Sequence, residues 1–386
     1  MTEVVIAGIG QTAVGEHWDI SIRELALRSI ELAQADAGGL QPQAVYVANM
    51  LSTPLSQQAH LGALIADFAG LNGVEAATIE AAGASGGAAL RVGYLAVASG
   101  QVGVALVVGV EKFTDQVGST VDAALSTSGD SDFEAVQGLT PTAQAALLMR
   151  RYLHEFAVPR QAFGGFPLVA HANGASNPRA MFQKAISLDL YARAGMVSDP
   201  LNMFDVAPLA DGSAALLLTR PELLPPGFPH ALVRLAGSSL VTDTLALHDR
   251  PDPLTFHAAR LSVERACRAA GIQPAQLDLF ELFDAYSIYT ALSLEAAGLA
   301  QRGQGWQLAQ DGQLNLNGAL PVATFGGLKA RGNPGGATGV YQAVEAVLQL
   351  RHQAGANQVP GARWAMVQAL GGPASSVATH ILERRD

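Results

Sequence analysis

The chain has 386 residues, a formal net charge of −10 and a single cysteine; 49% of its residues are hydrophobic and 15% are charged. This length suits two similar halves that share a core, and the low charge content indicates a large core, a subunit interface or both. The negative charge argues against nucleic acid and anionic membranes as partners, and one cysteine excludes an internal disulfide and fits a reducing cytoplasm.

The first predicted elements alternate between buried strands and amphipathic helices. Ser21 stands at the cap of the first helix with Glu24 three residues on, which is the spacing of a capping box. No signal peptide is expected, because the first three residues lead straight into a strand. In chain order the predicted elements are a strand at Val4–Gly8, a helix at Ser21–Ala35, a strand at Ala44–Leu51 and a helix at His60–Ala69.

The stretch from Ile79 to Val110 is the centre of the predicted organisation. Its helix, Ser85–Ala98, carries only Arg91 as a charged residue, so it should be buried nearly all round. Four small residues at its start would let another backbone approach closely. The apolar run from Val92 to Val110 is almost long enough to cross a bilayer, but residues 99–101 interrupt it, and a helix followed by a strand accounts for it better.

A second copy of this pattern lies near the C-terminus. Laying Ser85–Ala88 over Pro334–Ala337 places Gly83 opposite Gly332 and Ala84 opposite Asn333. We therefore predict a duplicated chain in which two buried helices point their N-termini at one place, where free N–H groups stabilise negative charge. A packing seam of small residues without chemistry is the alternative interpretation.

The remaining chain divides into an insertion and a second α/β half. Residues 115–205 are rich in Gly, Ser, Thr and Asp, without predicted strands; they contain a helix at Ala143–Phe156 and should cover the core and influence specificity. The second half repeats the alternation of strands and helices, which indicates α/β layers. Its elements are strands at Ser213–Thr219, Ala231–Gly237, Leu277–Phe283, Arg363–Leu370 and Val377–Leu382, and helices at Pro253–Ala270 and Tyr289–Ala297.

Six ordered motifs between Val4 and Leu382 resemble those of the thiolase superfamily, most closely the sterol-carrier-protein-type thiolases and their bacterial and archaeal relatives. The motifs are IEAAGASGGAALRVGYLAV, HANGASNPRAMF, PLNMFDVAPLADGSAALLL, ELFDAYSIYTALSLEAAGL, GGLKARGNPGGATG and VQALGGPAS. The resemblance implies an α/β, five-layered αβαβα fold, with an N-terminal half at 1–114 and 206–230, a loop domain at 115–205 and a C-terminal half at 231–386.

The same resemblance implies an acyl-coenzyme A thioester as substrate or ligand, no bound cofactor or metal, and a homodimer or a dimer of dimers. Some relatives work with a small zinc-ribbon/OB-fold partner protein that helps to hold the acyl-CoA. Neither nucleic acid nor a membrane is an expected partner.

The chain departs from the thiolase pattern at four positions that carry chemistry in the family. Gly83 stands at the position of the nucleophilic cysteine, Asn333 and Phe283 stand at two histidine positions, and Ala369 stands at the position of the second cysteine. The joint loss of these titratable groups argues against ordinary thiolase turnover. The backbone N–H groups of Gly83 and Gly371 could still form an oxyanion pocket, and Asn333 can still donate a hydrogen bond to a carbonyl.

The other candidate residues each have a structural alternative. Ser85 suits a buried helix start, His171 is a base, a substrate contact or a structural histidine of its own loop, and Cys267 should fill the core. Lys329 and Arg331 would meet CoA phosphates or be solvated. The candidate acid–base residues are Asp284 and Tyr286, and the candidate substrate contacts are Ser85, His171, Phe325, Gly326 and Lys329.

Three functions are compatible with this pattern. The first is an acyl-CoA-binding protein, nominally an acetyl-CoA C-acyltransferase, that makes or breaks a carbon–carbon bond beside the thioester without an acyl-enzyme. The second is a lyase similar to thiolase-like aldolases, which also lack the cysteine but rely on tyrosines at the positions held here by Phe283 and Asn333. The third is a catalytically silent subunit that gives a partner its CoA pocket or its dimer interface.

Overall fold

The computed structural model describes residues 2–385, in which strands alternate with helices. The strands are β1 (Val5–Gln11), β2 (Ala44–Ala48), β3 (Glu75–Ile79), β4 (Val104–Glu111), β5 (Met196–Ser198), β6 (Leu201–Asn202), β7 (Gly212–Thr219), β8 (Leu232–Thr242), β9 (Leu279–Glu281), β10 (Trp364–Gly371) and β11 (Ser376–Arg385). The helices are α1 (Ile22–Asp36), α2 (Ser52–Ser56), α3 (Leu61–Phe68), α4 (Ser85–Ala98), α5 (Gly118–Ser126), α6 (Pro141–Glu155), α7 (Gly165–Gly174), α8 (Leu188–Arg193), α9 (His257–Ala270), α10 (Ser287–Ala296), α11 (Gln307–Gln310) and α12 (Thr338–Leu350).

Nine strands are hydrogen-bonded in the order β3-β2-β4-β7-β1-β8-β11-β10-β9. β2 runs parallel to both β3 and β4, and β10 runs parallel to β9, whereas the remaining neighbours are antiparallel. The two halves meet between β1 and β8, where Val5 lies opposite Arg234. Each half therefore contributes one side of a continuous mixed sheet.

The sheet wraps around α4 and α12, which gives five layers. Side chains alternate along each strand, so Val45 and Val47 of β2 pack towards α1 and α3, whereas Tyr46 packs towards α4 and α12. The C-terminal strands cover the other side of α12 and turn their far face to α9. This arrangement confirms the predicted αβαβα architecture.

The two central helices cross at glycines. A Cβ atom added to Gly86 would lie 2.7 Å from the backbone nitrogen of Gly339, and one added to Gly339 would lie 2.4 Å from that of Gly87. Both helices follow a single 3₁₀ turn whose first residue has a positive φ, 50° at Ala82 and 47° at Gly335. The repeat is confirmed, but its predicted register is wrong by four residues, because residue 82 matches residue 335.

Several local predictions are confirmed and two are wrong. α4 has the predicted bounds, and Ser21 forms a complete capping box with Glu24. However, α4 is not buried all round, since Leu95 is 47% exposed. The segment between β4 and β7 contains the expected helix as α6, yet it also has other helices and the short antiparallel pair β5–β6, where no strand was predicted. Among residues 2–385, no helix combines the length and apolar character needed to cross a membrane.

Candidate active-site cavity

A cavity of about 230 Å³ lies at the N-terminal ends of the two central helices. Its wall combines the turns before α4 and α12, the end of β10, the start of α10 and parts of the segment between β4 and β7. The lining residues are Met50, Ala82, Gly83, Asp122, Leu125, Ser128, Pro141, Thr142, Val206, Ala207, Leu209, Phe283, Ala285, Tyr286, Tyr289, Asn333, Gly335, Leu370 and Gly372. The structure thus brings Gly83, Asn333, Phe283 and Tyr286 together, as the sequence predicted.

Phe283 takes up the space in front of Gly83. A Cβ atom added to Gly83 would lie 2.5 Å from the carbonyl oxygen of Leu370 and 2.8 Å from Cζ of Phe283. Both separations are shorter than van der Waals contact, and one of the two neighbours is backbone, which moves less readily than a side chain. No side chain can therefore extend from residue 83 unless its surroundings shift.

Asn333 is fixed in place by its backbone and by one side of its amide. Its N–H donates to the carbonyl oxygen of Pro208 at 2.9 Å, and its own carbonyl accepts from the N–H of Ala210 at 3.1 Å. The side-chain Oδ1 accepts from the N–H of Gly335 at 3.1 Å and from Oγ1 of Thr338 at 3.3 Å. Since Oδ1 is occupied, Nδ2 is the side of the amide that can donate to a ligand in the cavity.

A pair of hydroxyl groups stands in the same cavity. The Tyr286 hydroxyl lies 3.0 Å from Oγ1 of Thr142, which belongs to the first turn of α6. Burial raises the pKa of Tyr286 to about 12, so its hydroxyl keeps its proton at neutral pH. The ring of Tyr289 packs edge-on against that of Tyr286, with centroids 5.0 Å apart. Sequence reasoning missed Thr142 and Tyr289, although Tyr289 follows Tyr286 at helical spacing.

Glu111 is a buried carboxylate behind the cavity wall that sequence reasoning also missed. It accepts hydrogen bonds from the N–H groups of Met50 at 2.9 Å, Leu51 at 3.2 Å and Gly336 at 3.1 Å, and from Nδ2 of Asn49 at 2.8 Å. Burial outweighs these bonds and raises its pKa to about 7. Glu111 therefore ties the turn before α12 to the loop after β2; a charged residue ending an apolar strand was the available signal.

Asp284 and Lys329 serve a neighbouring turn instead of the cavity. Asp284 accepts from the N–H groups of Leu328 at 2.7 Å and Lys329 at 3.4 Å, and so holds the π-helical turn Gly327–Arg331. Nζ of Lys329 donates to the carbonyl oxygen of Asp205 at 2.7 Å, and burial lowers the pKa of this amine to about 8. The prediction that Lys329 is solvated or meets CoA phosphates is therefore wrong, because it is only 2% exposed.

Arg331 and the two residues before this turn are buried as well. The Arg331 guanidinium pairs with the carboxylate of Glu345 at 3.4 Å and is 1% exposed, so it is not the solvated or phosphate-binding group predicted from the sequence. Phe325 offers its carbonyl oxygen to Nδ2 of Asn177 at 2.9 Å. Gly326 has a φ of 104° and starts the π-helical turn, so neither residue belongs to the cavity wall.

Ser85 and His171 are structural in this geometry. Oγ of Ser85 donates to the carbonyl oxygen of Ala82 at 2.6 Å and accepts from the N–H of Ala81 at 2.9 Å, which closes the turn before α4. His171 lies inside α7 and not at the head of a loop; its ring stacks on Phe182, and burial lowers its pKa. The expected substrate contacts at these two positions are not part of the cavity wall.

The end of β10 contributes backbone and Leu370 to the cavity. The methyl group of Ala369 faces the crossing of the central helices, 3.2 Å from a Cβ atom added at Gly339, and is not part of the cavity wall. Gly371 is buried between the lining residues Leu370 and Gly372. Cys267 is buried in the α9 core as predicted, and burial raises its pKa to about 11.

Comparisons with known proteins agree with this architecture. The family model "Thiolase, N-terminal domain" matches residues 4–222, and "Thiolase C-terminal domain-like" matches residues 239–384. The chain is 38% identical to an acetyl-CoA acetyltransferase of Methanothermobacter thermautotrophicus over 386 residues, which is all of both chains. It is 34% identical to an acetyl-CoA acetyltransferase of Methanocaldococcus jannaschii, with 91% of this chain and 90% of that one covered.

Solved structures show the same fold at lower identity. The Ltp2-ChsH2(DUF35) aldolase superposes with a TM-score of 0.86 at 23% identity, covering 99% of this chain and 98% of the other. Human mitochondrial 3-ketoacyl-CoA thiolase superposes with a TM-score of 0.75 at 14% identity, covering 100% and 99%. These two likenesses concern the fold.

Proposed function

The chain belongs to the thiolase family, and from that premise we propose that it binds an acyl-CoA thioester in the cavity and makes or breaks the carbon–carbon bond beside the thioester without an acyl-enzyme. One observation carries this proposal: the ring of Phe283 occupies the space in front of Gly83, the position that the resemblance assigns to the nucleophilic cysteine, while Asn333 lines the same cavity. The only cysteine, Cys267, is buried in α9. Coenzyme A is proposed as part of the substrate, without a bound cofactor or metal.

In the cleavage direction, the sulfur of free CoA attacks the carbonyl carbon at the β position of a 3-oxoacyl-CoA directly. The bond between C2 and C3 then breaks, and its electron pair stays on the C2 fragment as the enolate of the thioester. Nδ2 of Asn333 donates to the enolate oxygen, and the helix N-termini stabilise its negative charge. A proton taken up at C2 and the proton lost by the CoA thiol balance the reaction, which yields two acyl-CoA molecules.

The decisive experiment is incubation of the purified protein with acetoacetyl-CoA and free CoA. We expect acetyl-CoA to form above the background rate, and no acyl group to appear on the intact protein by mass spectrometry after quenching. Asn333→Ala should lower the rate about 100-fold, since one oxyanion donor contributes on the order of 10²–10³ in rate. A stable acyl adduct would contradict the absence of an acyl-enzyme.

An aldolase is the second candidate, and a specific likeness favours it. The structure described as an Ltp2-ChsH2(DUF35) aldolase matches this fold over 99% of the chain. Such a lyase would act on a CoA thioester together with a zinc-ribbon/OB-fold partner protein, although Phe283 and Asn333 stand where the resemblance expects tyrosines. A neighbouring gene for such a partner, and a carbonyl product released from a 3-hydroxyacyl-CoA only when both proteins are present, would support it.

A catalytically silent subunit is the third candidate. In this case the protein would bind acyl-CoA with a measurable Kd and turn over neither acetoacetyl-CoA nor a 3-hydroxyacyl-CoA, alone or with a partner. Titration calorimetry with acetyl-CoA beside the two activity assays separates this candidate from the others.

We further propose that the protein forms a homodimer through β3 and α4. β3 is the end strand of the sheet and pairs only with β2 among the described residues, and its five residues are exposed or half-buried. At the other end of the sheet, β9 is covered, because the N–H of Phe280 donates to Pro321 and Phe280 bridges to Val322. α4 contacts β3, and its Leu95 is exposed. An uncovered edge next to an apolar helix face favours pairing with a second copy.

A further inference from the structure

We propose that Tyr286 and Thr142 form a second polar contact point in the cavity, which selects acyl groups carrying an oxygen atom beyond the thioester carbonyl. This inference rests on the proposed function, since it assigns the acyl end of the same acyl-CoA. The two residues come from segments that are distant in the sequence, and their hydroxyl oxygens are 3.0 Å apart in the cavity wall.

The chain between Val206 and Leu209 links the backbone of Tyr286 to that of Asn333. Val206 bridges to Tyr286, and Leu209 bridges to Asn333. The bond from the N–H of Ala207 to the carbonyl of Ala285, 2.8 Å long, secures the first of these contacts. Three residues of chain span at most about 11 Å, so this segment holds the backbones of Tyr286 and Asn333 at the same cavity, whose wall both residues line.

The wall between the two polar groups is largely apolar. Leu125, Phe283 and Leu370 line it, together with the backbone-paired Val206 and Leu209. An oxygen atom on the acyl group would lose its water on entry and regain no hydrogen bond from these side chains. Asp122 and Ser128 also line the cavity, and the Ser128 hydroxyl donates to the carbonyl oxygen of Leu125. At the start of α10 the hydroxyl pair is the partner for such an oxygen, so the cavity discriminates by leaving a mispositioned polar atom unpaired.

The pair can serve either a hydroxyl or a carbonyl oxygen. In the bond between the two residues one hydroxyl donates to the other, which leaves one proton to donate and lone pairs to accept. The ring of Tyr289 packs edge-on against Tyr286 and orients the phenol, and Phe256 packs on Tyr289 from behind with centroids 5.6 Å apart. Aromatic packing therefore preorganises the Tyr286 hydroxyl in the absence of a ligand.

Titration calorimetry with butyryl-CoA and with each enantiomer of 3-hydroxybutyryl-CoA tests the inference on the intact protein. These ligands differ by one oxygen atom. We expect one enantiomer to bind at least tenfold more tightly than butyryl-CoA. Tyr286→Phe should remove this preference while leaving the Kd for butyryl-CoA within about twofold, and Thr142→Val should weaken the preference.

Tyr46→Phe is the matched control, because it also removes one hydroxyl, which donates to Glu75 at 2.7 Å outside the cavity wall; it should keep the preference. Equal affinities in the wild-type protein, or a preference that survives in Tyr286→Phe, would overturn the inference while leaving acyl-CoA binding intact. Failure of butyryl-CoA and both hydroxy forms to bind would instead overturn the proposed function, and this inference with it.

Discussion

Gly83 and Phe283 share one volume, so substitutions at the two positions should be coupled. Gly83→Ala should lower the free energy of unfolding by about 1–3 kcal/mol, because the added methyl group meets the Phe283 ring at 2.8 Å and the Leu370 carbonyl at 2.5 Å. Part of this loss should disappear when Phe283 is already alanine. A double-mutant cycle by urea unfolding measures the coupling, and strictly additive effects would contradict the shared volume.

The same geometry predicts the outcome of restoring a cysteine. Gly83→Cys alone should not produce thiolysis of acetoacetyl-CoA through an acyl-enzyme, because Phe283 and the Leu370 carbonyl stand where its side chain must go. The double variant Gly83→Cys/Phe283→Ala opens the side-chain part of that space and is the form in which trapping of an acyl group should be sought. Acyl transfer to the single variant, detected by mass spectrometry, would contradict this prediction, because it would show that Phe283 and the Leu370 carbonyl move aside to admit the cysteine side chain.

His380 should make stability depend on pH. Its Nε2 bonds to the carbonyl oxygen of Gly87 at 2.9 Å, so that nitrogen carries the proton, and burial lowers the pKa of the ring from 6.5 to about 4. Between pH 6.5 and pH 4, His380 is protonated in the unfolded chain but stays neutral in the folded chain. The contribution of neutral His380 to the free energy of unfolding is therefore fully present above pH 6.5. It decreases by roughly 3 kcal/mol as the pH drops towards 4.

His380→Gln isolates this effect, because glutamine can donate to Gly87 without titrating. Buried carboxylates such as Glu111, whose pKa is raised to about 7, contribute in the opposite direction and remain in both proteins. The difference in unfolding free energy between wild type and variant should be constant above pH 6.5 and shift against the wild type below it. If urea unfolding shows that this difference stays constant down to pH 4.5, the lowered pKa of His380 in the folded protein is contradicted.

At the level of single residues, the sequence predicted the side of the cavity that lies on the repeated motifs. Gly83 and Asn333 were placed together because each belongs to a small-residue helix start, whereas Phe283 was identified by the resemblance of its motif to that of the thiolases. Thr142 and Glu111 were missed because their positions depend on contacts with segments more than 100 residues away. Local pattern singles out Glu111 as a charged residue that ends an apolar strand, but it does not predict which distant segments either residue contacts.

The crossing of α4 and α12 requires glycine at both helix starts. Alanine normally stabilises a helix by about 1 kcal/mol relative to glycine, but here a Cβ atom at residue 86 or 339 would meet the backbone of the other helix at 2.7 or 2.4 Å. Gly86→Ala and Gly339→Ala should therefore each lower the free energy of unfolding by 1–3 kcal/mol or more, as overpacking does, which reverses the usual sign.

Gly195→Ala is the control for this pair, since a Cβ atom there meets nothing within 4 Å. Its effect on the unfolding midpoint should be small. Stabilisation by either helix substitution would mean that the helices separate at low energetic cost, and the cavity at their N-termini would then lose its rigid frame.

The predicted alignment of the two helix starts is wrong by four residues because it was based on residue size. Ser85–Ala88 and Pro334–Ala337 match in residue size, and this match led to the predicted alignment. The backbone instead aligns Ala82 with Gly335, the two residues of positive φ, so that the Pro-Gly-Gly-Ala run lies in the turn and not in the helix. Left-handed alanine at residue 82 is uncommon, and residue type alone does not predict it.

At the scale of the whole molecule, the five layers followed from alternating elements and a duplicated pattern, whereas the surface of α4 did not. The apolar character of α4 predicted burial on every side, yet β3 lies at the end of the sheet, and α4 has Leu95 exposed and five residues from Arg91 to Ala98 only half-buried. An apolar surface that a chain does not cover itself is most simply covered by a second copy. The wrong burial prediction and the proposed dimer therefore have one cause.

Leu95→Glu tests that dimer. Leu95 is 47% exposed on the open face of α4, and a carboxylate there would be buried unpaired in a symmetric interface, so the variant should sediment as a monomer at micromolar concentration while the wild type sediments as a dimer. Leu32→Glu on the outer helix α1, where Leu32 is 50% exposed, adds the same charge outside the proposed interface and should stay dimeric. A wild-type monomer, or dissociation of both variants alike, would contradict pairing through β3 and α4.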